Sequence, residues 1–269
     1  FKIFMKVIIK RIFRLTNFTT RIWDKIENLL MNLRYLKLYK TSTGKYYLPY
    51  FAKYDMIKNS IIQNDIFDKK VYEVGKKFIE ANTIVLDIGS NYGQLSILYS
   101  LSNTNVSVYS FEADPYIFKI LKKNVLINGS NVKTFNYLIE NQNTENFIDK
   151  INLNNKNYFT YGSQKINIVD KNNFSKKKMN VVKSVKIDDI KFDKKISLMK
   201  IDTQGYDLKV LYGAKNTIQK HRMPIIFEFD KEFKFDFKYE FKDFEDFVKL
   251  INYRIEEKID RDNYLILPI

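Results

Sequence analysis

The chain has 269 residues, of which 45% are hydrophobic, and this suits one α/β domain with a modest extension. It has no cysteine and one histidine, which excludes disulfides, zinc–thiolate sites, a cysteine nucleophile and a histidine-rich metal site. The formal net charge is +15. Because nothing in the composition indicates secretion, we expect a cytoplasmic protein. No metal ligand is predicted, and the sequence leaves a metal requirement open.

Most of the excess positive charge lies near the N-terminus, where residues 1–45 hold eleven basic but only two acidic side chains. Apolar residues recur at helical spacing through 1–38, so we predict basic amphipathic helices within an N-terminal extension over 1–60. No uncharged run approaches the roughly 20 residues that span a bilayer, and no leader-like cleavage site follows. Two roles stay open for these helices: packing on the domain or a partner chain, or peripheral contact with a membrane.

Beyond residue 40, strand and helix patterns alternate along the chain. A connection with a short hairpin is expected over 41–60, and a helix over 65–81. Strands are predicted at 83–86, 106–111, 132–139, 181–185, 196–201 and 224–229, and helices at 116–126, 208–219 and 244–251. The Asn-rich segment 140–178 is expected to form loops and short strands. A closing antiparallel hairpin is predicted from 253–257 and 264–267, so residues 61–269 read as one α/β domain.

The first strand pattern ends in an acid and two spaced glycines. Asp87, Gly89 and Gly93 form the spacing D-x-G-x-x-x-G before a helical pattern begins. Glycine lets a ligand approach the backbone closely, and free N–H groups at such a turn face the ligand. We therefore predict a small-ligand cradle at the first strand-to-helix turn of the sheet. The alternative is a structural turn in which Asp87 caps the helix.

A second acid follows at the distance expected for ribose recognition. Glu112 closes the next strand pattern, 19 residues after Gly93, and Pro115 then opens a helix. A carboxylate accepts hydrogen bonds from both ribose hydroxyls, so the two motifs together indicate an adenosine-type ligand.

The glycine pattern favours one adenosine ligand over another. A dinucleotide fingerprint needs G-x-G-x-x-G, and Asp87 stands where it would repel a pyrophosphate. S-adenosylmethionine, which carries an ammonium and a sulfonium, fits this carboxylate better than NAD. The predicted cofactor-binding residues are Asp87, Gly89, Ser90, Asn91, Gly93, Glu112 and Ala113.

Three blocks of the sequence resemble the FkbM-type S-adenosylmethionine-dependent methyltransferases: VLDIGSNYGQLS (85–96), YSFEADPYIFKILKKNV (109–125) and 184–229, which contains KIDTQGYD and ends in FEF. The resemblance covers about residues 80–260. It implies a class I methyltransferase fold, Rossmann-like with a mostly parallel sheet, S-adenosylmethionine as methyl donor, and usually an oxygen nucleophile on a glycan or natural product. The chain departs from the family pattern at Thr203-Gln204, where Val-Glu is common.

Ligands in such sheets bind at the carboxyl ends of the strands, where three further residues are expected. Asp202 ends the fourth core strand and is the first candidate to accept the proton of the acceptor hydroxyl or to orient that hydroxyl. Glu228, near the end of the fifth strand, is the second candidate, and it could equally hold a metal ion or a sugar hydroxyl. Lys200 shares a strand face with Asp202 and would steer or neutralise it. Alternatively, Asp202 caps the next helix.

Three functions compete. The first is an O-methyltransferase that modifies a hydroxyl of a sugar or glycan precursor, and the second is an RNA 2′-O-methyltransferase. The third is a non-catalytic binding module.

Residues 230–269 hold eight basic and eleven acidic side chains, so the alternating aromatic residues of 233–241 fit a half-buried strand or a loop over the active site better than a nucleic-acid surface. The sequence indicates no oligomeric state.

Overall fold

The computed structural model describes residues 34–151, 179–230 and 239–269. Its strands are β1 (Leu36–Thr41), β2 (Gly44–Pro49), β3 (Ile84–Ile88), β4 (Ser107–Phe111), β5 (Val132–Phe135), β6 (Leu138–Ile139), β7 (Glu145–Asp149), β8 (Met179–Val185), β9 (Ile196–Ile201), β10 (Ile225–Glu228), β11 (Tyr253–Lys258) and β12 (Asn263–Pro268). Its α-helices are α1 (Met56–Ile62), α2 (Lys69–Gly75), α3 (Gln94–Ser100), α4 (Pro115–Asn128), α5 (Asp207–Gly213), α6 (Lys215–His221) and α7 (Phe241–Leu250). None of these helices is long and apolar enough to cross a membrane.

The main sheet has seven strands in the order β11-β12-β10-β9-β3-β4-β5. The five strands from β10 to β5 run parallel, and β12 pairs antiparallel with both β10 and β11. From β3 the chain moves outward to β4 and β5, whereas from β9 it moves the opposite way to β10. The order therefore reverses between β3 and β9, and the crevice at their carboxyl ends is the usual ligand position in an open α/β sheet. The predicted α/β architecture with a closing hairpin is confirmed.

Helices cover both faces of this sheet. Side chains of α5, α6 and α7, such as Leu208, Ile218 and Phe247, form one core cluster with strand residues such as Leu86. Side chains of α2 and α3 form another cluster with Val85 and its neighbours on the opposite face. Strand β3 is buried along its whole length because alternate residues enter the two clusters. The last residues of β3 therefore lie in the interior of the domain.

The N-terminal hairpin of β1 and β2 is fastened to α4 by two asparagines. The Asn124 Oδ1 accepts the Tyr47 N–H at 2.7 Å, and the Asn128 side chain exchanges two hydrogen bonds with the backbone of Lys45. The prediction of helix through residue 38 is wrong for residues 36–38, which are strand. Leu36 and Leu38 fit a period of two as well as a helical spacing, and pairing with β2 decides between them. The rest of that predicted helix, 1–33, lies outside the described residues.

Three other predicted elements are shorter or divided. The strand expected over 132–139 separates into β5 and β6, because the Asn136 side chain turns inward and donates to two backbone carbonyls. The helix expected from residue 65 begins only after Asp68, which has a left-handed φ of 55°. The helix expected over 208–219 breaks after Gly213, where a Cβ would lie 2.2 Å from the Glu140 carbonyl oxygen. The hairpin expected within 41–60 begins earlier, at Leu36, and α1 was not predicted. The other elements agree with the prediction to within three residues, and 231–238 of the aromatic tail lies outside the described residues.

Helix α4 has a capping interaction that can be tested. The Asp114 Oδ1 accepts the N–H groups of Tyr116 and Ile117 at 2.7 and 3.0 Å. Asp114→Ala should lower the free energy of unfolding by about 1 kcal/mol, because two helix N–H groups lose their acceptor. Urea denaturation measures this loss, with the exposed loop residue Asp193→Ala as control, which should change stability by less than about 0.5 kcal/mol. Equal losses in the two variants would contradict the capping role.

Candidate active site

A cavity of about 390 Å³ lies at the carboxyl ends of β3 and β9, where the strand order reverses. Its volume falls in the range of roughly 300–1,000 Å³ typical of small-molecule sites. All but one of the residues predicted as functional line it: Asp87, Gly89, Ser90, Asn91, Glu112, Ala113, Lys200, Asp202 and Glu228. The exception is Gly93, which starts α3 with a φ of 88° and whose Cβ would lie 2.5 Å from Leu121. Gly93 therefore allows α3 and α4 to pack closely, and its predicted role in cofactor binding stays a prediction.

The glycine turn joins three strands. Gly89 has a φ of 81°, and a Cβ there would lie 1.7 Å from the Asp202 carbonyl oxygen. Its N–H and that of Ser90 both donate to the Phe111 carbonyl, at 2.9 and 3.0 Å, while the Asp202 N–H donates to Ile88. The N–H groups expected to be free are therefore used within the protein. Such a turn offers no ready anion cradle, in agreement with a ligand that brings positive charge.

Glu112 is fixed by the turn that faces it. Its Oε2 accepts the Asn91 N–H and its Oε1 accepts the Asp114 N–H, each at 2.9 Å. Burial raises the pKa of Glu112 to about 8, although these two hydrogen bonds lower it in part. Each carboxylate oxygen has a further lone pair, so the side chain retains capacity to accept ligand hydroxyls.

A buried lysine connects the two strand ends. The Lys200 ammonium donates to the Gly89 carbonyl at 3.2 Å and to Asp202 Oδ2 at 3.1 Å, and its Nζ lies 3.7 Å from Asp87 Oδ1. Burial lowers the pKa of Lys200, but the carboxylates of Asp202, Asp87 and Asp68 raise it further, so the pKa is raised overall. The lysine is therefore charged at neutral pH and shared between the two aspartates.

Asp87 has one oxygen that the protein leaves unsatisfied. The side chain is fully buried, and its Oδ2 accepts a hydrogen bond from the Ser96 hydroxyl. Its Oδ1 has no hydrogen-bond partner among the described residues. Since buried polar atoms are rarely left without a partner, this oxygen has an unused capacity to accept a hydrogen bond.

The two other candidate carboxyl groups are joined by an amide. Gln204, in a left-handed conformation with a φ of 55°, donates from Nε2 to Asp202 Oδ1 at 3.2 Å and to Glu228 Oε2 at 3.5 Å. Asp207 is completely buried beneath them and accepts the N–H groups of Glu228 and Thr203. The ends of β9 and β10 are thus held at fixed separation.

Burial raises the pKa values of three carboxyl groups in this region. Burial, reinforced by Asp202 and Asp207, raises the pKa of Glu228 to about 10. Burial also raises the pKa of Asp207 to about 6 and that of Asp68 to about 7, with Asp202 as the second cause in each. At neutral pH Glu228 is a carboxylic acid that can donate a hydrogen bond, beside Asp202, which is paired with a lysine. A protonated carboxyl group beside a lysine-paired one suits proton transfer.

No functional role was predicted from the sequence for Asp68, Gln204 or Asp207, although Gln204 stands at the departure from the family pattern. Asp207 follows the strand-end motif directly, so its position was a usable signal. Asp68 lies far from every motif block and reaches the wall only through the left-handed start of α2, so no local pattern identifies it. Among the described residues, no group of three or more His, Asp or Glu side chains is arranged to hold a metal ion.

The close approach at Gly89 can be measured through stability. Gly89→Ala should lower the free energy of unfolding by about 3 kcal/mol or more, because the added methyl group meets the Asp202 carbonyl at a strained φ. Gly129→Ala is the matched control, since its φ is also positive, 57°, with no atom within 4 Å of the added Cβ. The control should lose only about 1 kcal/mol in chemical denaturation. A Gly89 variant no less stable than the control would show that the two strand ends do not touch.

Comparisons with known proteins give a family. The family described as "Methyltransferase FkbM domain" matches residues 87–255, which is more than half of the chain. No curated protein matches the chain. Among solved structures, an FkbM methyltransferase from Methylobacillus flagellatus KT has 16% identity and a TM-score of 0.45, over 70% of this chain and 44% of that one. The chain thus spans less than half the length of that protein.

Two other solved structures are similar to this chain. A TehB-like SAM-dependent methyltransferase from Corynebacterium glutamicum has 9% identity and a TM-score of 0.46, over 78% of this chain and 92% of that one. A Pyrococcus abyssi tRNA (uracil-54, C5)-methyltransferase, in complex with S-adenosyl-L-homocysteine, has 10% identity and a TM-score of 0.44. The match covers 86% of this chain and 43% of that one. From the family match, the chain belongs to the FkbM methyltransferase family, with the class I methyltransferase fold and S-adenosylmethionine as its methyl donor.

Proposed function

We propose that the enzyme transfers the methyl group to a hydroxyl of a sugar or glycan precursor. The observation that carries the proposal is the pair of Asp202 and Glu228, which the Gln204 amide joins in the wall of the cavity. A hydroxyl acceptor needs one group to take its proton and others to align it. Asp202, which is paired with Lys200, would take the proton, and the protonated Glu228 would align the hydroxyl.

The charge of the wall supports a neutral acceptor. Nine carboxyl side chains line the cavity, against two basic ones, Lys200 and Arg261, among the described residues. A phosphate or another anion would be repelled by those carboxyl groups that are ionised and would find only two cationic partners in this lining, whereas sugar hydroxyls can hydrogen-bond to carboxyl groups in either state. The same imbalance argues against an RNA backbone as acceptor, so the 2′-O-methylation alternative gains no support from the cavity.

The donor-binding residues are proposed from the fit of the cavity. S-adenosylmethionine supplies an activated methyl group on a positively charged sulfur. The unsatisfied Asp87 Oδ1 would accept from the donor's amino group, and Glu112 from the ribose hydroxyls. Gly89, Ser90 and Asn91 would form the wall between them, with Ala113 beside Glu112.

The reacting hydroxyl is proposed to meet Asp202. Its carboxylate would take the proton as the oxygen attacks the methyl carbon, and the Lys200 ammonium at 3.1 Å would hold it in place. Glu228, through its proton, would donate to the acceptor and orient it. Asp207 would act indirectly, by fixing the backbone at the ends of β9 and β10.

Two other interpretations remain proposals. The division into an extension over 1–60 and a catalytic domain over 61–269 is one of them. The other is peripheral membrane contact through the basic helices predicted upstream of residue 34, which lie outside the described residues.

The proton acceptor can be identified by one substitution. Asp202→Asn keeps the shape and the hydrogen bond from Gln204 but removes the basic oxygen, so methyl transfer should fall by roughly 10²- to 10⁴-fold. Donor affinity should change little. Transfer of labelled methyl groups to nucleotide sugars, glycolipids and RNA measures the rate, and calorimetry measures donor binding. Asp193→Asn, in an exposed loop, is the control. An unimpaired Asp202 variant, or methylation of RNA alone, would contradict the proposal.

Glu112 should make ribose binding pH-dependent. Its folded pKa of about 8 means that it accepts from ribose hydroxyls fully only when ionised, so affinity should rise as pH increases through 8. Adenosine is a suitable probe because it lacks an amino acid group that titrates nearby. Glu112→Gln should bind it roughly 10- to 100-fold more weakly at pH 9, with no pH dependence. Calorimetry at pH 6.5 and 9 checks this. Affinity that is equal at both pH values in the unmodified protein would refute the ribose role.

A further inference from the structure

We infer that the outer surface formed by hairpin β1–β2 and the exposed side of α4 binds an anionic membrane surface. This surface, here called the basic face, comprises Leu38, Lys40, Lys45, Lys119, Lys122, Lys123 and Leu126. It is separate from the cavity wall and does not depend on the identity of the methyl acceptor.

The exposed side of α4 carries a stripe of lysines. Lys119, Lys122, Lys123 and Leu126 are all exposed and follow the spacing i, i+3, i+4, i+7, so they lie on one side of the helix. The buried residues of α4, such as Ile120, occupy the other side. No acidic residue occurs between 115 and 133, so nothing on the helix offsets this charge.

The hairpin extends the stripe. In the register of β1 and β2, Leu38 lies opposite Tyr47 and Lys40 opposite Lys45, while the intervening pair of Tyr39 and Tyr46 faces the other way. Leu38, Lys40 and Lys45 are exposed, whereas Tyr46 is fully buried. The hairpin therefore presents an outward side with two lysines and one leucine.

The two parts form one continuous surface. Asn128 of α4 is hydrogen-bonded to the backbone of Lys45, and the Lys123 ammonium lies 5.5 Å from the centre of the Tyr47 ring. Residues 34–53 contain five basic side chains and no acidic one. Within the described part of the chain, none of the lysines of the basic face makes an ion pair. Their charge is thus available to an anionic partner.

The exposed leucines favour a membrane over a nucleic acid. Leu126 is 81% exposed and Leu38 is 37% exposed, and both lie among the lysines. A lipid interface receives apolar side chains while its headgroups receive the charges, as in surface-lying amphipathic segments. A nucleic-acid backbone offers nothing comparable to a leucine. Residues 1–33 hold seven basic and two acidic side chains, so they are not complementary in charge to this face.

The basic face also lies near the cavity. Asp114 caps α4 and lines the cavity, so the helix leads from the cavity wall to the lysine stripe. Lys119 comes five residues after that cap, which is about 7 Å along the helix axis. An enzyme seated on this face would hold its cavity close to the membrane surface.

Vesicle binding by the full chain tests the inference. Vesicles of phosphatidylglycerol and phosphatidylcholine should bind the protein in 0.1 M NaCl and release it in 0.5 M, and vesicles of phosphatidylcholine alone should not bind. The triple variant Lys119→Gln, Lys122→Gln, Lys123→Gln should bind roughly 100-fold more weakly, since each lysine near an anionic surface contributes about fivefold. Leu126→Gln should lose about tenfold.

The matched control neutralises three exposed lysines elsewhere: Lys191→Gln, Lys220→Gln and Lys249→Gln. Lys220 and Lys249 belong to α6 and α7, which pack on the face of the sheet opposite to α2 and α3. This control should bind vesicles within about twofold of the unmodified chain, and circular dichroism should show both triple variants folded. Equal binding by the two triple variants, binding of single-stranded RNA but not of vesicles, or binding of neither, would overturn the inference.

Discussion

The fold and its site meet at one buried ion cluster. Asp87 and Lys200 are paired positions on the neighbouring strands β3 and β9, and Asp202 follows two residues later. Two carboxylates and an ammonium removed from water are costly to bury, and loss of one partner typically destabilises by about 3–5 kcal/mol. Such a cluster is stable only where each charge has a well-placed partner. Here the register of β3 and β9 sets the positions of the charged groups. Among the described residues, one Asp87 oxygen nevertheless has no hydrogen-bond partner, and this is the oxygen that we propose for the methyl donor.

The glycine turn serves this cluster in an unexpected way. A strand-to-helix turn of this kind is often thought of as a set of N–H groups aimed at a phosphate. Here the N–H groups of Gly89 and Ser90 bind β4, and that of Asn91 binds Glu112. The turn therefore positions two acids, Asp87 and Glu112, instead of presenting positive dipoles. In the proposed binding mode, a cationic donor with a ribose would meet both carboxyl groups, and a pyrophosphate would meet repulsion.

The sequence alone predicts much of the fold and of the candidate site, because the informative features are local. Strand β9 was predicted with its actual bounds, and Asp87, Glu112, Lys200, Asp202 and Glu228 were placed at strand ends because parallel strands bring their carboxyl ends together. Features that depend on distant chain segments were missed. The close packing of Gly93 against Leu121, 28 positions away, is one of them. Likewise, Leu36 and Leu38 fit two periodicities, and only pairing with β2 selects the strand.

The central claim is that Asp87 receives the amino group of the methyl donor, and calorimetry with two ligands tests it most directly. Asp87→Asn should bind S-adenosylmethionine roughly 10- to 100-fold more weakly than the unmodified protein, because a charged hydrogen bond is lost. The same variant should bind 5′-methylthioadenosine, which has the ribose but no amino acid group, with nearly unchanged affinity. Equal losses for both ligands, or no loss for S-adenosylmethionine, would contradict the account.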